Sequence, residues 1–199
     1  MTANTSAHAG AAAAPLLRLD GVMAGYATPV VGPHSFEVRG GDRLGIAGPN
    51  GCGKSTLLRA ITGEARVFAG RVTRAPGLRI SHQTQGFESL AGFPLNGREL
   101  LALTGAPARG LPPWLRGRLL ERVGDLSGGQ MQFLRLWACL MAPAEVILLD
   151  EPTNNLDREG VGFLEEVLRD LGPGRALILV SHDAGFVRRV CSSAIALDE

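Results

Sequence analysis

Residues 42–56 read Asp-Arg-Leu-Gly-Ile-Ala-Gly-Pro-Asn-Gly-Cys-Gly-Lys-Ser-Thr, a short apolar stretch that runs straight into a glycine-rich turn. Leu44, Ile46 and Ala47 suit a buried strand, and Gly48, Gly53, Lys54 and Ser55 complete the spacing G-x-x-x-x-G-K-[ST]. Beyond the turn, residues 54–62 put Leu57, Leu58 and Ile61 on one helical face, with Gly63 as the stop. Strand, turn and helix in this order let backbone amides close around phosphate oxygens, with the positive end of the helix behind them. Gly48, Pro49, Asn50, Gly51, Cys52, Gly53, Lys54, Ser55 and Thr56 are therefore the expected binding loop for the phosphates of a nucleotide. In it Lys54 neutralises the outer phosphates and Ser55 offers its hydroxyl to Mg²⁺.

Lys54 is the sole lysine among the 20 basic residues counted as Lys plus Arg. A compact ammonium on a thin stem reaches between phosphates where a planar guanidinium does not fit, so the exception falls where lysine is chemically required. A second apolar run, Val146 to Leu149, delivers Asp150 and Glu151 at its carboxyl end, where open α/β sheets place ligands. Asp150 is expected to hold Mg²⁺ through water and Glu151 to take a proton from an attacking water. Leu126 to Gln130 read LSGGQ; Ser127 and Gln130 have capping-box spacing, and Gly128 and Gly129 leave amides bare at a helix start.

With 199 residues, 45% hydrophobic content and a net charge of +1, the chain has the size and balance of one large domain without a global field for nucleic acid or anionic lipid. No apolar run reaches the roughly 18 residues of a membrane span. Residues 1–15 are rich in small side chains and lack a basic region followed by an apolar one, which predicts a disordered tail and a cytoplasmic protein. Three scattered cysteines, Cys52, Cys139 and Cys191, read as reduced thiols. Strands are expected at 16–22, 35–38, 42–48, 70–74, 78–81, 145–152, 176–180 and 194–197, alternating in the second half with helices. That order implies an α/β fold with a mostly parallel central sheet. Residues 86–125 are looser, and form a candidate helical subdomain in which Asn96 and Glu99 cap one helix and residues 113–123 form a second.

Together the motifs resemble the ATP-binding cassette (ABC) family from about residue 16 to residue 199. LSGGQ is that family's signature, and its place between the phosphate loop and VILLDEPTNNLD is highly specific. The resemblance implies a P-loop NTPase with an N-terminal antiparallel β part and a short α-helical subdomain. It also implies ATP hydrolysis by paired cassettes, a homodimer or a heterodimer, in which Ser127, Gly128, Gly129 and Gln130 meet the γ-phosphate held by a second copy's loop. By the same resemblance Tyr26 stacks on adenine, and Gln85, or Gln83, meets Mg²⁺ and the lytic water. Asn155, Leu156 and Asp157 link the two sites, with Asp157 equally suited to cap a helix, and His182 touches the γ-phosphate.

Within the family, EPTNNLD, GRVTRAPGLRIS and VSHDAGFVRRV look most like the ABC-F proteins, soluble cassette pairs that act on ribosomes, although Asn155 replaces their usual histidine. The other reading is the ATPase subunit of a membrane transporter, held by a transmembrane permease at the inner face of the membrane. Arg109, Arg116, Arg118 and Arg122 around Trp114 form a candidate patch for RNA or a partner protein; no DNA partner is expected.

Overall fold

The computed structural model describes residues 14–84 and 94–197. Strand β1 (Leu17–Gly25) alternates inward and outward residues, and pairs antiparallel with β2 (Pro29–Val38) on one side and β4 (Arg66–Arg74) on the other. The second sheet is parallel, in the order β5 (Ile80–Gln83), β6 (Val146–Asp150), β7 (Ala176–Val180), β3 (Arg43–Ala47), β8 (Ser193–Ala196). Both β6 and β7 are buried along their whole length, as expected of central strands covered on two faces.

Period-two geometry then divides one apolar run between two cores. Val146 and Leu148 join Ile46, Ile178 and Val180 against Leu57, Leu58 and Ile61 of helix α1 (Lys54–Thr62), whose other side meets Leu17, Leu19 and Val22 of the antiparallel sheet. Ile147 and Leu149 face the opposite way, toward α4 (Gly128–Met141), α5 (Arg158–Arg169) and α6 (Ala184–Val190). The phosphate-loop helix is thus clamped between two sheets. Because all strands of the second sheet run the same way, the turns after β3, β6 and β7 emerge at one edge.

Helix α1 has the expected bounds, and Gly63 closes it at φ 89° with its amide on the carbonyl of Ala60. Asn96 and Glu99 cap α2 (Gly97–Thr104) reciprocally, at 3.0 and 2.8 Å. The second expected helix is much shorter: α3 is the single turn Pro113–Arg116. Residues beyond it turn their backbone away from helical pairing, because Leu119 accepts from the amide of Arg98 and Val123 donates to Leu95. Strand β4 starts at Arg66 rather than at residue 70, since its pairing with β1 extends to Gly25. Residues 1–13 of the expected tail 1–15, the stretch 85–93 and residues 198–199 lie outside the described residues.

Phe133 of α4 is the keystone of the helical core: it is 1% exposed and meets Trp114 and Phe163 edge-on, with centroids 5.2 and 5.7 Å away. Phe133→Ala is expected to cost about 3–5 kcal/mol of stability. Urea unfolding of purified wild-type and variant protein checks this through the shift in midpoint at constant m.

Candidate nucleotide site

The turn after β3 holds Gly48, Gly51 and Gly53 at positive φ, 154°, 88° and 94°. At Gly53 a Cβ would stand 2.6 Å from Cβ of Val31, so the position requires glycine for space as well as for backbone angle. Gly53 is also the N-cap of α1, and supplies no side-chain acceptor to the first amides of the helix, whose first turn carries no acidic residue. A positive, uncapped helix end therefore faces the loop, which is the arrangement that attracts phosphate. Lys54 is 7% exposed and folds back over the same loop, its Nζ donating to the carbonyls of Gly48 and Pro49 at 2.8 and 2.7 Å. Gly51, Gly53, Lys54 and Ser55 line a cavity of about 500 Å³ that Asp150, Glu151 and His182 also border.

Asp150 is 2% exposed, and its Oδ1 has no hydrogen-bond partner among the described residues. Burial raises its pKa above the ordinary carboxylate value, opposed by a hydrogen bond from Ser55. A buried, orphaned carboxylate oxygen beside a hydroxyl is a hard-oxygen donor pair, which suits a small divalent cation that takes its remaining ligands from phosphate and water. Glu151 follows at φ 49°, a left-handed conformation that a glutamate adopts only under constraint. Its amide donates to Val180, while its Oε2 receives the backbone amide of His182 at 3.2 Å and lies 2.7 Å from that residue's Nδ1. The carboxylate is held at the cavity wall by the turn that follows β7.

LSGGQ lies elsewhere. Ser127 caps α4, accepting from the amide of Gln130 at 3.3 Å while its own amide donates to Gln130 Oε1 at 3.0 Å, so the expected capping box is present. Ser127, Gly129 and Gln130 border a different cavity of about 330 Å³, together with Asn155, Leu156 and Asp157. The two cavities share no lining residue. The turn after β6 joins them: Asn154 reaches the first, Asn155 at φ 63° the second, and Asp157 caps α5 through the amide of Gly160 at 2.8 Å.

A family model described as ABC transporter matches residues 31–91 and 98–154. The chain belongs to the ATP-binding cassette family. It is similar to the zinc import ATP-binding protein ZnuC of Cereibacter sphaeroides, 38% identical over 82% of this chain and 71% of that one. It also resembles the ATP-binding protein Uup of Caulobacter vibrioides, 36% identical over 85% of this chain and 29% of that one. A solved ATP binding subunit of an ABC transporter superposes with a TM-score of 0.77 at 24% identity, covering 92% of this chain and 85% of that chain, which supports the fold. Like its family, the cassette is an ATP-binding, ATP-hydrolysing domain.

Other expected residues of the cassette divide. Tyr26 follows β1 and is 49% exposed, and its hydroxyl accepts from Arg59 of α1 at 2.7 Å; it stands outside the wall of the first cavity. Gln85 lies outside the described residues. Gln83 ends β5 with Nε2 donating to Thr84, and borders a third cavity beside Arg135 and Leu100. Arg118 and Trp114 are drawn out of the basic patch, the first to Glu121 and Gln130 and the second against Phe133, while Arg109, Arg116 and Arg122 stay exposed. Sequence reasoning missed Val30, Asn154 and Val180 in the cavity wall; only the Asn154-Asn155 pair carried a local signal. It also missed His82, whose side chain is 8% exposed with Nδ1 3.7 Å from Glu64, neither ring nitrogen hydrogen-bonded among the described residues and its pKa lowered by burial.

Lys54→Ala is expected to weaken ATP affinity about 10- to 100-fold, the worth of a charge-assisted contact, and Gly53→Ala to do so through the clash with Val31. Calorimetric titration of ATP into each folded variant measures both.

Proposed function

We propose that this chain is the ATP-binding subunit of a membrane transporter, one half of a head-to-tail pair that binds MgATP and hydrolyses it to ADP and phosphate. The observation that carries the proposal is the separation of the phosphate loop from LSGGQ: one chain presents both surfaces but closes neither on the other. A second cassette, turned head to tail, brings its Ser127, Gly128, Gly129 and Gln130 to the outer phosphate held by the first, and the arrangement is reciprocal. Residues 16–199 act as this cassette, with 86–125 as its short helical subdomain.

In this reading the loop amides, the α1 terminus and Lys54 carry the phosphates, and the ring of the half-exposed Tyr26, anchored by Arg59, offers a face to adenine. Ser55, Asp150 and a glutamine, either Gln85 or Gln83, the last residue of β5, would hold Mg²⁺, which when bound neutralises phosphate charge. Glu151 accepts the proton of a water whose oxygen attacks the γ-phosphorus, while the bond to the bridging β–γ oxygen breaks and its electrons leave with ADP. His182 keeps Glu151 in place from the neighbouring strand end.

The likeness to ZnuC supports a permease partner, and with it a position at the inner face of the membrane; no helix among the described residues is long and apolar enough to cross a bilayer. A second reading, the soluble ABC-F type, rests on EPTNNLD and on the similarity to Uup. The transporter reading is preferred because the ZnuC likeness is the higher in identity and covers 71% of that relative, against 29% of Uup.

Glu151→Gln is expected to lower phosphate release about 10²- to 10⁴-fold while ATP binding persists; equal rates would overturn the role given to Glu151. Tagged chain recovered in detergent from its own cells is expected to carry a multispanning membrane protein. Recovery with ribosomes and without such a protein would favour the ABC-F reading instead.

A further inference from the structure

Gln130 Oε1 has two donors. One is the amide of Ser127, at 3.0 Å, inside the capping box; the other is Nη1 of Arg118, also at 3.0 Å, from the segment after α3. Arg118 is itself fixed, because Nε and Nη2 grip Glu121 in a bidentate pair at 2.8 and 2.7 Å. The guanidinium plane set by Glu121 leaves Nη1 aimed at the signature turn, a use of the rigid arginine fork that lysine cannot copy. With Oε1 held by two N–H groups, the amide of Gln130 has one orientation, which reserves its Nε2 hydrogens for other acceptors.

We infer that Arg118 is a positioning residue: clamped by Glu121, it holds Gln130, and through the capping box the bare amides of Gly128 and Gly129, in the conformation that meets the terminal phosphate of a paired cassette. This rests on the proposed head-to-tail pairing. Arg118 and Glu121 are each 41% exposed, so their ion pair contributes little to folding, and its effect on pairing can be separated from stability. The backbone around Arg118 is tied to residues 95–98 of the subdomain, so the clamp also links that subdomain to the signature turn.

The test uses the full chain carrying Glu151→Gln, with MgATP-dependent pairing followed by analytical ultracentrifugation. Adding Arg118→Ala is expected to raise the protein concentration for half-pairing about tenfold, the worth of one charge-assisted hydrogen bond. Arg118→Lys is expected to recover only part of that loss. Glu121→Gln, which keeps the volume and frees the guanidinium, is expected to cost about threefold, and carries the test if Arg118→Ala misfolds. ATP affinity of the dilute, unpaired chain and the melting temperature are expected to stay at parent values. Unchanged pairing in both Arg118→Ala and Glu121→Gln, or a loss of pairing matched by an equal loss of lone-chain ATP affinity, overturns the inference. Failure of the Glu151→Gln parent to pair is read before any clamp variant is added; it overturns the head-to-tail reading itself, and the inference with it.

Discussion

The geometry turns on a single constraint: the turn between Asp150 and Asp157 must serve two cavities that share no lining residue. It leaves β6 with Asp150 buried at one cavity, bends through Glu151 at φ 49° and Asn155 at φ 63°, and enters α5 at the other cavity with Asp157 as its cap. Two non-glycine residues in left-handed conformations within so short a span carry a cost of order 1–3 kcal/mol each, and the surrounding contacts must hold them there. For Glu151 those contacts are the carbonyl of Val180, which ends β7, and the amide of His182 in the turn that follows it. Register of β6 against β7 therefore sets the position of the catalytic carboxylate in the proposed mechanism.

The same sheet order fixes the placement of the helix behind the phosphate loop. Helix α1 is gripped by the antiparallel sheet on one side and by the parallel sheet on the other, so its N-terminus, with no side-chain cap, has a fixed direction. Helix α4 starts at the opposite core, with Phe133 wedged between Trp114 and Phe163, and carries the capped signature turn. One helix start is left uncapped beside the phosphate loop, and the other is closed by its own capping box.

Much of this was readable from local pattern. The phosphate loop, the bounds of α1, the all-buried run of β6 and the capping boxes at Asn96 and Ser127 each depend on residues close in sequence, where period and cap chemistry are decisive. What failed depends on distant partners. Residues 113–123 have helical spacing, yet the backbone around Leu119 and Val123 pairs with residues 95–98 instead. Val30 reaches the nucleotide cavity only because β2 and β1 carry it there, and no local signal marks it. Between Gln85, which lies outside the described residues, and Gln83, the last residue of β5, local pattern does not choose. The subtype was harder still, because EPTNNLD describes the shared ATP chemistry more than the partner it drives.

If no single chain closes both surfaces on one nucleotide, hydrolysis must depend on encounter between cassettes. The direct measurement is specific ATPase activity of the purified wild-type chain over a wide range of protein concentration at saturating MgATP. Activity per chain that rises with concentration and then levels off is the result this account predicts. Activity per chain that is high and constant down to the greatest dilution, with the chain monomeric throughout, would contradict it.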